Sequence, residues 1–126
     1  MNCRVLVVDD NVSVLGLICD LLSQAQYQVR PAMNGEQALV TTASFDPNLI
    51  LLDMVMPILD GNGFLAKIDP VIRPGIIAVT GYAGEISKES KFRIDAVVTK
   101  PFGNKQLLDV VEEVLKQKGN AECQKS

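Results

Sequence analysis

Four consecutive apolar residues, Leu49, Ile50, Leu51 and Leu52, run directly into an aspartate, Asp53. An apolar run without alternation is the pattern of a strand buried on both faces, as in a parallel sheet. A carboxylate at the end of such a strand is poorly explained by packing, because burying it unpaired costs several kcal/mol. Functional sites in open α/β sheets lie at these carboxyl ends. Pro57, Asp60, Gly61 and Gly63 follow, and their turn chemistry takes the chain out of the sheet at once.

The same arrangement recurs along the chain. Cys3 to Val8 is a β-branched run that stops at Asp9 and Asp10. Gly75 to Val79 is a third such run and ends at Thr80, while Ala96 to Val98 precedes Thr99, Lys100 and Pro101. Tyr27 to Pro31 is short and mixed, which suits an edge strand that tolerates proline. Between the strands the period changes to that of helices. Val14, Leu15, Leu17, Ile18, Leu21 and Leu22 define a first helix from Val12 to about Ala25 with Asn11 as its N-cap. Asn34 to Phe45 is a second, with Ala38, Leu39 and Ala43 on one face, stopped by Asp46 and Pro47. A short third helix fits between Gly63 and Ile68. Ala83 to Arg93 is polar and weakly periodic, so a short fourth helix is expected there, anchored by Ile86 and Phe92. In the last helix Asn104 reads as the N-cap, and Leu107, Leu108, Val111, Val114 and Leu115 form the core stripe.

Five strands alternating with five helices argue for a parallel sheet covered on both faces by right-handed crossovers. The expected fold is a single flavodoxin-like (βα)5 domain of strand order 2-1-3-4-5, spanning residues 1–119, with a polar tail over residues 120–126. A length of 126 residues is that of one domain, and 48% hydrophobic content supplies its core without metal or disulfides. No apolar run approaches the roughly 18 residues of a membrane span, so no membrane insertion is expected. The net charge is −3 and no cluster of Lys and Arg marks a nucleic-acid face, so direct nucleic-acid binding is not expected. Cys3, Cys19 and Cys123 lack metal spacing and are read as reduced thiols. The chain has no histidine, which excludes histidine-based triads and histidine metal sites. With no cleavable signal before the first strand, a cytoplasmic location is expected.

In the order 2-1-3-4-5 the first and third strands are neighbours at the topological switch point, and Asp9, Asp10 and Asp53 meet there. A lone aspartate at a strand end is ordinarily a cap or turn residue, but capping does not bring three acids to one edge. Close carboxylates either hold a proton or gather around a hard cation such as Mg²⁺ (or Mn²⁺). Lys100 and Thr80 add an ammonium and a hydroxyl at the same edge, which completes a receptor for a phosphoryl group. Asp53 is then the carboxylate placed to attack phosphorus.

These residues, with the loop Met56-Pro57-Ile58-Leu59-Asp60-Gly61 and the pair Lys100-Pro101, resemble the receiver domain of two-component response regulators, of the chemotaxis-regulator type. The resemblance runs from Arg4 to about Lys118. It implies that Asp53 is the phosphoacceptor, served by a sensor histidine kinase or phosphotransfer protein. It implies that Asp9, Asp10, Asp53 and the backbone carbonyl of Val55 bind Mg²⁺, that Thr80 is the switch hydroxyl, and that Lys100 binds phosphate before a cis peptide at Pro101. Val55 and Tyr82 occupy positions that tune dephosphorylation in such domains. The domain is expected to act on a downstream protein target or a fused output domain, and to catalyse only its own phosphorylation and dephosphorylation. One position departs from the pattern: Val97 stands where many receivers carry an aromatic switch residue. The competing reading is a haloacid-dehalogenase-type phosphatase with Asp9 as nucleophile. It needs an acid where Asn11 stands, and it leaves Asp53 unexplained.

Overall fold

The computed structural model describes residues 3–119. The strands are β1 (Arg4–Val8), β2 (Gln28–Ala32), β3 (Leu49–Asp53), β4 (Gly75–Thr80) and β5 (Ala96–Thr99). The helices are α1 (Val12–Gln24), α2 (Gly35–Phe45), α3 (Gly61–Lys67), α4 (Lys88–Lys91) and α5 (Asn104–Gln117), with a 3-10 turn at Ala83–Glu85. All strand pairs are parallel in the order β2-β1-β3-β4-β5, as expected from the alternation of strand and helix patterns. Pro31 is tolerated because β2 is an edge strand.

The pleat of the central strands divides the core in two. Val5, Val7, Leu49, Leu51, Ile77 and Val79 point to one face, against Leu15, Ile18 and Leu22 of α1 and Leu107, Val111 and Leu115 of α5. Leu6, Val8, Ile50, Leu52, Ile76 and Ala78 point to the other, against Ala38, Phe64, Leu65 and Ile86. Both faces of β3 and β4 are covered, so their runs are apolar throughout rather than alternating.

Register carries this order to the site. Val8 pairs with Leu52, so Asp9 and Asp53, one residue on, stand side by side at the carboxyl edge of the sheet. Asp53 pairs with Val79 and Thr80 with Thr99, which brings Thr80 and Lys100 to the same edge.

Several local expectations need correction. Phe92 does not anchor the fourth helix: it is 91% exposed, and Ile86 alone of the pair is buried. The helix itself is only a four-residue turn, because Ser87 caps it and the apolar residues on either side are too few to define a longer face. On α2 the buried positions are Gly35, Ala38, Thr42 and Phe45, whereas Ala43 is exposed; Thr42 fits because its hydroxyl donates to the Ala38 carbonyl at 2.7 Å. The N-cap of α5 is Gly103, whose N–H donates to Gln106 Oε1 at 3.3 Å, and Asn104 is the first helical residue. Cys3 takes part in a disulfide and so is not the reduced thiol expected, whereas Cys19 is free. Cys123 and the polar tail from residue 120 lie outside the described residues. Among the described residues no helix is long and apolar enough to cross a membrane.

Candidate functional site

Each turn after a strand fixes one acid. Asp9 is buried, and its Oδ1 accepts the N–H of Asn11 at 2.9 Å; Asp53 is buried, and its Oδ1 accepts the N–H of Val55 at 3.1 Å. In both, a strand-end aspartate bonds the backbone two residues on with one oxygen and turns the other toward Lys100. Asp10 is exposed at the rim. Each of the three offers a carboxylate oxygen, and these oxygens lie within 4.8 Å of one another. Asn11 is used as expected: its Oδ1 accepts the Val14 N–H at 3.1 Å and caps α1.

Lys100 comes from the opposite side. Its Nζ lies 3.3 Å from Asp53 Oδ2 and 3.7 Å from Asp9 Oδ2. It is held by the hydrogen bond from its own N–H to the Thr80 carbonyl at 2.8 Å and is followed by a cis peptide at Pro101. Desolvation by burial raises the Asp53 carboxyl above its ordinary range, and the charge of Asp9 adds to this. The Val55 N–H and the Lys100 ammonium oppose the rise. The donor set is therefore two buried oxygens and one exposed one, with no nitrogen or sulfur, which suits a small hard cation that keeps part of its water.

The loop from Met54 to Gly61 is tied in at both ends. The Gly61 N–H donates to the Met54 carbonyl at 3.2 Å, and a Cβ at Gly61 would come within 2.8 Å of Met54 Cα. The Gly35 N–H donates to the Leu59 carbonyl at 2.8 Å, with no room for a side chain at Gly35. Asp60 caps α3 by accepting the Gly63 N–H at 2.8 Å. The turn residues therefore shape the wall of the cleft, as their sequence suggests. Ile58 sits in this loop with φ of 70°, a left-handed conformation unusual for a β-branched residue.

Thr80 is brought to the edge, but its hydroxyl bonds within its own loop. Its hydroxyl contacts the Glu85 carboxylate and the Tyr82 carbonyl, the latter at 2.9 Å, and accepts the Tyr82 N–H at 3.1 Å. Among the described residues no hydrogen bond joins it to Asp53 or Lys100. Tyr82 is exposed, and its ring lies over Gly84, where a Cβ would approach Cε2 within 2.3 Å. Sequence reasoning missed two residues here. Glu85 lies in a weakly periodic stretch, and Asn62 stands between two glycines that read only as turn; neither carries a motif. Asn62 Nδ2 donates to the Glu85 carbonyl at 2.8 Å, and its Oδ1 accepts the Ser87 N–H at 3.0 Å and the Ser90 hydroxyl at 2.7 Å.

Comparison with known proteins agrees with this geometry. A family model described as the response regulator receiver domain matches residues 5–112. The chain is similar to the sporulation initiation phosphotransferase F of Bacillus subtilis (strain 168), 32% identical over 123 residues that cover 95% of this chain and 99% of that protein. It is also similar to the probable transcriptional regulator ycf27 of Cyanophora paradoxa, 32% identical over 119 residues. That match covers 93% of this chain but spans only 50% of the regulator's length. Among solved structures, the CheY-like response regulator receiver domain protein of Methanospirillum hungatei JF-1 matches with a TM-score of 0.84 at 28% identity, covering 94% of this chain and 98% of that one.

Proposed function

Because this chain belongs to the receiver domain family of two-component response regulators, we propose that Asp53 accepts a phosphoryl group and that the resulting change controls a protein partner or a fused output domain. One observation carries the reading: three carboxylates converge within 4.8 Å, and one ammonium stands 3.3 Å from the central one. Carboxylates that merely cap turns have no reason to share an edge, and a salt bridge needs only one of them.

An Asp53 carboxylate oxygen attacks phosphorus on the donor. The new P–O bond forms as the donor's P–N or P–O bond breaks, and the electron pair leaves with the imidazole of a phosphohistidine or with acetate. Lys100 is placed to pair with a phosphoryl oxygen once Asp53 is converted to the acyl phosphate and its carboxylate charge no longer holds the ammonium. The Val55 N–H fixes one Asp53 oxygen, which orients the carboxylate before attack. Asp9, Asp10, Asp53 and the Val55 carbonyl would hold Mg²⁺ or Mn²⁺, which when bound neutralises charge on the transferring oxygens. Thr80 supplies the hydroxyl that the phosphoryl group recruits. The product is the phosphorylated domain itself, so this is a signalling domain and not an enzyme acting on a separate substrate. Its donors are a sensor histidine kinase or a phosphotransfer protein, and its place of action is the cytoplasm.

The test is incubation with acetyl phosphate or phosphoramidate and Mg²⁺, read by intact mass. Wild type gains one phosphoryl group and Asp53→Asn gains none. A wild type that takes up no phosphoryl mass overturns the proposal.

A further inference from the structure

The Thr80 hydroxyl has one proton and two acceptors within reach, the Tyr82 carbonyl and the Glu85 carboxylate. A charged acceptor holds a hydroxyl more strongly than a neutral carbonyl does, so Glu85 is the partner that sets the hydroxyl's direction. Thr80 is buried and Glu85 half-buried, so this bond is partly shielded from competing water. Resting on the reading that the Asp53 phosphoryl group recruits Thr80, we propose that Glu85 is a positioning residue that competes for the same hydroxyl. It holds the Thr80 hydroxyl within its own loop until a phosphoryl oxygen replaces it as acceptor.

The release has a route to the surface. Glu85 ends the 3-10 turn Ala83–Glu85, and its carbonyl is held by Asn62 of α3. The same Asn62 amide accepts from the Ser87 N–H and the Ser90 hydroxyl. Ser87 in turn caps α4 by accepting the Ser90 N–H at 3.1 Å. One side chain therefore joins the residue that lets go of Thr80 to the first turn of α4. Val97 is 46% exposed and too small to swing between two packed positions, so β5 supplies no comparable moving part. In this chain the relay runs through Glu85 and Asn62.

A double-mutant cycle isolates the competition. Wild type, Glu85→Ala, Glu85→Gln, Thr80→Val and the double variant Thr80→Val/Glu85→Ala are labelled with acetyl phosphate and Mg²⁺, and the rate is followed by intact mass. Glu85→Ala is expected to label on the order of tenfold faster than wild type, since one charge-assisted hydrogen bond no longer opposes recruitment. Glu85→Gln, which keeps an acceptor oxygen without the charge, falls between them. In the Thr80→Val background the Glu85 change is expected to do nothing. Equal acceleration in both backgrounds would mean that Glu85 acts only by repelling an anionic donor, and it overturns the inference; so do equal rates for wild type and Glu85→Ala. Hydrogen exchange over residues 85–91 reads the relay, and it is expected to rise on labelling in wild type and to be raised already in unlabelled Glu85→Ala. No change in wild type whose labelling is confirmed by mass sinks the relay alone, whereas a wild type that never labels sinks the phosphoacceptor reading beneath it.

Discussion

Asp53 is a carboxylate whose surroundings work against its own charge. Burial removes water from it and the Asp9 carboxylate repels it, while the Val55 N–H and Lys100 compensate only in part, so its folded-state pKa lies above its ordinary value. A raised carboxyl pKa means that folding disfavours the ionised form. The resulting deficit is present above the folded pKa and disappears below the unfolded one. Asp53→Asn is therefore expected to stabilise the metal-free domain near neutral pH, seen as a rise in Tm. The gap closes as pH falls toward about 4, where the wild-type carboxyl is protonated as well. Mg²⁺ is expected to narrow it from the other side, because Asp53→Asn removes one of the three carboxylates proposed to hold the ion. Thermal unfolding of both proteins across this range, with and without Mg²⁺, checks the sign; a wild type that is the more stable at neutral pH without metal contradicts it.

The elements differ in how plainly they can be read. β1, β3 and β4 announce themselves because both faces are buried and their interiors are apolar, so the polar residues at their ends, Asp9, Asp53 and Thr80, stand out against that background. Asp9, Asp10, Asp53 and Thr80 were legible as candidates for this reason, since polar residues at the ends of buried strands are conspicuous; Lys100 follows the only partly buried β5 and was marked instead by its place before Pro101. The segment between β4 and β5 was not legible in this way. Its order comes from Asn62, Ser87 and Ser90, polar side chains whose bonds to backbone have no periodic signature. Phe92 misled because hydrophobicity alone does not say which way a residue points on a single turn of helix. Phe92→Ser is expected to change stability by less than about 0.5 kcal/mol, whereas Ile86→Ala costs about 2 to 3; urea unfolding separates the two. The loop before α3 stores strain that no pattern shows. Ile58 is 72% exposed and has φ of 70°, so Ile58→Gly removes the left-handed penalty while losing little packing. A gain of about 0.5 to 1 kcal/mol is expected after the added chain entropy of glycine, and a loss in the same measurement would mean that the exposed side chain packs more than its area suggests.

At the scale of the whole molecule the sheet edge presents two neighbouring surfaces, the acidic cleft around Asp53 and an apolar groove beside it. The groove has a volume of about 480 Å³ and runs from Leu17, Ile18 and Leu21 of α1 to Pro101 and Phe102, with Lys100 at its end. Leu17 is 71% exposed, on a face of α1 that the core does not use. A small donor such as acetyl phosphate reaches Asp53 without touching this groove. On the proposed function, a protein donor whose phosphohistidine sits on a folded surface is expected to cover the rim of the cleft as it delivers the phosphoryl group, which would remove the apolar face beside Lys100 from water. Leu17→Glu sets a charge on that face without disturbing the core. It is expected to leave the labelling rate with acetyl phosphate unchanged and to slow transfer from a phosphotransfer protein that labels wild type, by about tenfold. Slowing with both donors would mean that the substitution disturbs the cleft itself. Unchanged rates with both would mean that the donor approaches from another side, past Val55 and Ile58, and would turn attention to that loop as the docking face.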